Sequence, residues 1–307
     1  TERFVSWNDW NQWLHRTLSV CRRVAMEYSP GGGLPVVAIV DAGTIEFIRS
    51  LGVEVVSSAN LIQLALAIWS PAAIENHAVA SCKVAGIKEE AFDHIRKSLR
   101  EDRSVDEVGV QQLILSRFEA QGLETPDPPI VAVNAHSGDP HYEPNPTDSS
   151  PIRRGDWVLI DLWARKPGNE NIYSDITWVG FAGDAVPARH AQVFEVVKRA
   201  RNAAVDLARS AWAKPESLQG WQLDDAARNV IIEAGFSHGI KHRTGHSLSP
   251  GEKVHGLGVN LDNLETHDTR ELLPGLGFTV EPGIYLDDFG VRLCRRGDHH
   301  RGGGNRR

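Results

Sequence analysis

An aspartate in the middle of an apolar run is the feature that most narrows what this chain can become: Asp161 in WVLIDLWA, Trp157 to Ala164. Burying an ionised carboxylate alone costs several kcal/mol, so the fold must bring it a counter-charge or a set of donors. A second acid, Asp175, stands in IYSDITWVGF, Ile172 to Phe181, and the turn-rich RKPGNEN joins the two runs as an antiparallel hairpin. Either Asp alone is as often a strand-end or turn acid as a ligand. On adjoining strands the two can point the same way, which is how a divalent cation gains its first ligands.

Two later clusters ask for the same explanation. HRTGHSLSPGEKVHG holds His242, His246 and His255 among Gly, Ser and Thr. A lone loop His is more often structural than a ligand, but three so close together shift the balance, because imidazole is both the commonest metal ligand and a ready proton carrier. TVEPGIY then places Glu281 in an apolar strand just before Pro282-Gly283. Alone it would read as an edge-strand acid.

The rest of the chain sets the frame. At 307 residues it has room for two domains, or for one with an appendage. Trp7 to Tyr28 reads as a helix, broken by SPGGGLP; VVAIVD (Val36 to Asp41) and VEVVS (Val53 to Ser57) then read as strands flanking a helix, a parallel βαβ piece. Residues 1–70 are thus expected to form a partial α/β amino-terminal domain. Pro71 starts a long helix, and Asp106 to Gly122 is another. Beyond Pro129, strands and helices segregate as in an α+β catalytic domain over 71–294. Residues 295–307, RRGDHHRGGGNRR, offer almost no apolar surface and are expected to be a disordered tail.

Composition excludes some classes of function. The net charge of −7 gives no reason to expect a nucleic-acid partner. No apolar run approaches the roughly 20 residues that span a bilayer, so no membrane association is expected. TERFVSW has no signal core and no initiating Met, as a fragment would not. Three scattered cysteines make a poor disulfide framework, and the expected compartment is the cytoplasm.

Taken in order, Asp161, YSDIT with Asp175, HRTGH with His246, VEPGIY with Glu281 and the following GVR resemble the pita-bread metallopeptidases. Within them the likeness is greatest to Xaa-Pro aminopeptidases and prolidases, and it extends over roughly residues 75 to 294. The resemblance implies a pita-bread fold and two divalent metal ions, of Mn²⁺ type with Co²⁺ or Zn²⁺ as alternatives, held by two Asp, one His and two Glu. By position it assigns Asp161, Asp175, His246 and Glu281 as ligands. It assigns His141, in DPHYEP, and His255 to substrate contact and proton transfer. His242 stands just behind the metals, and Tyr285 and Arg292 flank the site. The implied reaction is release of an amino-terminal residue before a penultimate proline, with such peptides as partners and a homodimer as the usual assembly.

The chain departs from that pattern twice. Where the family ends its site on GVR-x-Glu, this sequence reads GVRLCRR, so Cys294 stands in the place of a bridging carboxylate. A thiolate ligand, a change of reading frame after Arg292, or a basic arm would each account for it; the frame change is the favoured reading. Ser249-Pro250-Gly251 also lengthens the interval between His246 and His255. Two rivals therefore stand beside the peptidase: metal-free, creatinase-like hydrolysis, and a catalytically impaired domain that binds peptides or proteins.

Overall fold

The computed structural model describes residues 3–214 and 217–294, so the expected tail lies outside the described residues. The chain divides into two compact units, Thr1–Leu64 and Ala65–Arg307.

In the first unit, α1 (Trp7–Leu18) is capped by Ser6, whose side chain accepts from the Asp9 amide. It ends at Leu18 rather than Tyr28, and RVAM forms β1 (Arg23–Met26) instead. Asp41 caps α2 (Ala42–Ser50), which connects β1 to β2 (Glu54–Ser57) in a parallel pair. The parallel βαβ piece therefore exists, but VVAIVD does not supply its first strand. Pro35–Val37 is a 3₁₀ turn, with Val36 and Ile39 61% and 71% exposed. Leu14, Leu18, Ile45, Ile48, Val53 and Val55 form the core of this unit. Next comes α3 (Ala59–Leu66).

The second unit opens with α4 (Pro71–Arg100), where Ser70 is the cap and Pro71 takes the first helical position. Then come α5 (Glu107–Ala120), capped by Asp106, and an antiparallel sheet of β3 (Ile130–Val133), β4 (Trp157–Ala164) and β5 (Ser174–Phe181) in that order. The period of two along β4 sorts its side chains. Val158, Ile160 and Leu162 join a core with Val84, Ile87, Ile114 and Phe118 of α4 and α5. Trp157 and Leu159 face the other way, into a core with Val196 of α6 (Ala188–Ala213) and Leu223 of α7 (Gly220–Glu233).

Asp161 lies on this second face. The register pairs Asp161 with Thr177 and Trp163 with Asp175, so the two aspartates are diagonal neighbours on one side of the hairpin. Two short antiparallel pairs complete the unit: β6 (Ser247–Leu248) with β7 (Gly277–Phe278), and β8 (Gly283–Tyr285) with β9 (Gly290–Arg292). Glu281 falls between β7 and β8 rather than inside one strand. Its amide still donates to the Thr244 carbonyl at 2.7 Å, which continues the β6–β7 pairing toward His246.

Candidate metal centre

Gly245 fixes how closely the two halves of the site approach. A Cβ on Gly245 would lie 2.1 Å from the Thr279 carbonyl oxygen, so only glycine lets the HRTGH segment pack against TVE. Around this contact the His246 amide donates to Thr279 Oγ1 at 2.9 Å, and that hydroxyl donates to Glu281 Oε1 at 2.8 Å. Gly245→Ala should therefore lower unfolding free energy by about 1–3 kcal/mol, the usual cost of overpacking. A urea transition at an unchanged midpoint would mean that the contact is not this tight.

Among the described residues, Asp175, His246 and Glu281 bring one ligand atom each within 4.8 Å of one another. His246 Nε2 stands 3.1 Å from Asp175 Oδ2 and 3.2 Å from Glu281 Oε1. Its Nδ1 lies 3.1 Å from the Ser247 carbonyl, which can only accept, so Nδ1 carries a proton and Nε2 is the atom turned to the carboxylates.

Asp161 is outside that group of three. Its carboxylate accepts from Thr177 Oγ1 at 2.6 Å and from the Arg292 guanidinium, whose Nε also donates to Thr177 at 3.0 Å. The structure thus gathers three of the four expected ligands and ties the fourth to Arg292 beside them.

Electrostatics define what the cluster lacks. Burial pushes Asp161 up to about 7 against the pull of Arg292, and burial also raises Asp175. Burial opposes charge on His246, yet its bonds to Asp175 and Glu281 push it up to about 10. Burial would raise Glu281 too, but His246 holds it well below the usual carboxylate range. Ionising all three buried carboxylates beside one guanidinium and one imidazolium would leave an excess of negative charge even with His246 protonated, which is why burial raises Asp161 and Asp175. Oxygen donors with one imidazole suit a Mn²⁺-, Co²⁺- or Zn²⁺-type ion, and such an ion supplies the missing positive charge. Among the described residues, the three converging donors fit one such divalent ion.

These residues line a cavity of about 510 Å³, together with His141, His242 and His255. His141 is exposed and sits in the loop between β3 and β4. The His255 ring centre is 4.0 Å from that of His246, and Arg243 Nη2 stands 3.4 Å from its Nδ1. Burial and the nearby Arg292 hold His242 down at about 4. Its Nδ1 faces the Arg243 carbonyl and must donate, so Nε2 accepts from the Tyr285 hydroxyl at 2.5 Å. The lengthened Ser249-Pro250-Gly251 segment is tied back to the β4–β5 connection: the Gly251 amide donates to Asn169 O at 2.8 Å, and its carbonyl accepts from Arg165.

Cys294 is buried. Its thiol donates to the Asp175 carbonyl at 3.3 Å, and its amide donates to Thr177 O at 3.2 Å. Burial and the neighbouring carboxylates push this thiol up. Its sulfur is not among the three converging ligand atoms.

Sequence reasoning missed Thr177, Thr279 and Asp224. Each threonine stands two residues from a candidate ligand, Asp175 or Glu281, so period-two alternation was the available signal. Asp224, fully buried on α7, accepts from the Thr244 amide at 2.9 Å and the Asn263 amide at 2.8 Å, which anchors the loop before His246. No local pattern marked it.

The α+β fold with a buried carboxylate–imidazole cluster facing a cavity is of the pita-bread class. Residues 82–296 match metallopeptidase family M24, and the chain belongs to that family. Similar proteins include an Xaa-Pro dipeptidase of Lactobacillus helveticus, 28% identical over 203 residues, 66% of this chain and 49% of the relative. Another is the Xaa-Pro dipeptidase of Pyrococcus horikoshii, 32% identical over 165 residues, 53% of this chain and 42% of the relative. The chain therefore spans about half the length of the curated relatives it matches. Among solved structures, the fold resembles a dipeptidase from Pyrococcus horikoshii OT3, with TM-score 0.59, 27% identity, and coverage of 92% of this chain and 71% of that one. An X-Pro aminopeptidase from Thermotoga maritima gives TM-score 0.60 at 24% identity over 95% and 75%, a likeness that bears on the fold. Among the described residues, no helix is long and apolar enough to cross a membrane.

Proposed function

We propose that this chain is the catalytic part of a metal-dependent aminopeptidase that cleaves the bond between an amino-terminal residue and a penultimate proline. The observation that carries the reading is the convergence of Asp175, His246 and Glu281 in a cavity that also holds His141, His242 and His255. Relatives named Xaa-Pro dipeptidases support the substrate class.

In this reading Asp175, His246 and Glu281 would hold the first ion, with Asp161, tied to Arg292 beside them, the further candidate ligand. A divalent ion there supplies Lewis acidity and a water acidified toward neutral pH. The protein's own part is to position and to move protons. His141 and His255, at the open side of the cluster, are placed to exchange protons with the attacking water and the leaving proline nitrogen. Tyr285, donating to His242, keeps that imidazole oriented, while burial keeps it neutral. The lining near the cluster is apolar at Ile130 and Trp163, a surface on which a pyrrolidine ring can rest.

The test is hydrolysis of Ala-Pro and longer Xaa-Pro peptides with Mn²⁺ in excess, against the same peptides with Ala in place of Pro. Slow, chelator-sensitive cleavage confined to the Pro series is expected. His141→Ala should cut it about 10²-fold, the scale of a lost acid–base group, with bound metal unchanged. Equal cleavage of both series would refute the proline specificity, and absence of both metal and hydrolysis would refute the peptidase.

The buried, non-converging Cys294 favours a second reading, a catalytically impaired domain that binds peptides without turning them over. Peptide affinity with no turnover at any metal concentration would establish it.

A further inference from the structure

Glu107 opens α5 and is fully buried, yet it has no part in the cavity. A buried carboxylate persists only where donors surround it, and this one has four. Its Oε1 accepts from the Val133 amide at 2.7 Å and from His136 Nδ1 at 2.9 Å. Its Oε2 accepts from the Tyr142 hydroxyl at 2.6 Å and from the Ser150 amide at 2.7 Å.

The donors are distributed in an informative way. Val133 ends β3, His136 lies in the 3₁₀ turn that follows, Tyr142 is next to His141, and Ser150 stands near the far end of the same loop. One carboxylate therefore gathers the start, the middle and the end of the segment that carries His141. The His136 and Tyr142 rings stack on each other with centres 4.2 Å apart. His141 itself is exposed, and its own amide donates to Asp139 Oδ1 at 2.9 Å. Nothing in that contact fixes the imidazole over the cavity. The fixing comes through the chain, from Tyr142.

We propose that Glu107 is a positioning residue for His141, holding the 134–150 loop shut through Tyr142, His136 and two backbone amides. This rests on the functional reading to the extent that His141 acts on substrate; the loop clamp itself does not. Glu107→Gln replaces one acceptor oxygen with an NH₂ group, which meets one backbone amide, Val133 or Ser150, head-on and turns the ring or hydroxyl beside it from donor to acceptor, opening that side of the clamp.

The experiment has two independent readouts on the metal-loaded full chain. The first is amide hydrogen exchange: Glu107→Gln should speed exchange at the Val133 and Ser150 amides and across 134–150, while the β4–β5 hairpin keeps its protection. The second is a cycle of Glu107→Gln and His141→Ala read as Xaa-Pro turnover. Glu107→Gln should lower kcat by about 10²-fold, as a misplacement near 1 Å does, with bound metal unchanged, and should cost little more once His141 is Ala. Tyr142→Phe, which removes a single donor and leaves the core intact, should give a smaller loss with the same non-additivity. Equal losses in both His141 backgrounds, or exchange that rises uniformly through the unit, would make Glu107 a general stabiliser and overturn the proposal. A wild-type chain without turnover would count against the functional reading alone, and the exchange pattern would still decide whether Glu107 clamps the loop.

Discussion

Glu281→Gln should abolish tight metal binding, and with it the stabilisation that metal confers. Glu281 contributes one of three converging ligand atoms and the carboxylate held lowest by its neighbours, hence the one always charged at neutral pH. An amide at that position keeps the shape and the bond to Thr279 but loses the charge that offsets a divalent ion. With Mn²⁺ at about 100 times its Kd, the wild-type chain should gain about 2.7 kcal/mol in unfolding free energy, and Glu281→Gln close to none. Glu195→Gln, which removes an exposed carboxylate paired with Lys198, serves as the control and should keep the full gain. The measurement is thermal or urea unfolding with and without Mn²⁺, so it does not depend on turnover. A metal-induced shift of the same size in Glu281→Gln would remove Glu281 from the ligand set.

The sequence carried part of this centre openly and hid the rest. Period-two alternation in WVLIDLWA and SDITWVGF is a local property, so the hairpin and the shared face of Asp161 and Asp175 follow from residues close in sequence. His246 and Glu281 stood out as polar residues in unsuitable company. Their meeting depends on the Gly245–Thr279 approach, which no local pattern encodes. The pairing of Asp161 with Arg292 spans 131 positions and was invisible for the same reason. Arg292 had been assigned to the flank of the site, not to one of the aspartates.

In the first unit, β propensity misled. VVAIVD has the stronger strand composition, but the parallel ladder to β2 went to RVAM, whose register places Val24 against Val55. Tertiary pairing overrode local preference there. Glu107 and Asp224 illustrate the remaining blind spot. Both are acids in helices where a solvent-facing role is the ordinary expectation, and only the packed structure reveals that each satisfies backbone amides of a distant loop.

Cys294→Glu should raise tightly bound metal from about one ion per chain to two, with a gain in Xaa-Pro turnover of about 10² or more. The reason is charge between like neighbours. Two divalent cations a few Å apart repel strongly, and each carboxylate between them offsets part of that repulsion. Among the described residues Asp175 is the candidate for that place, since Asp161 is engaged by Arg292 and the Cys294 thiol donates to a backbone carbonyl. Cys294 nonetheless lies close enough for Glu281, Asp175 and Asp161 all to push its thiol up, so a longer carboxylate at this position can reach the same field. A second ion adds polarisation of the scissile carbonyl, and each 1.36 kcal/mol of that stabilisation is tenfold in rate. Without metal the direction reverses: a fourth carboxylate raises the negative excess, so metal-free Cys294→Glu should unfold at lower urea than wild type and recover on Mn²⁺ addition. Elemental analysis after gel filtration reads the stoichiometry, and Ala-Pro hydrolysis reads the rate. Two ions and full turnover already present in the wild-type chain would sink the idea, because the Cys294 sulfur or a solvent molecule would then suffice as the missing ligand.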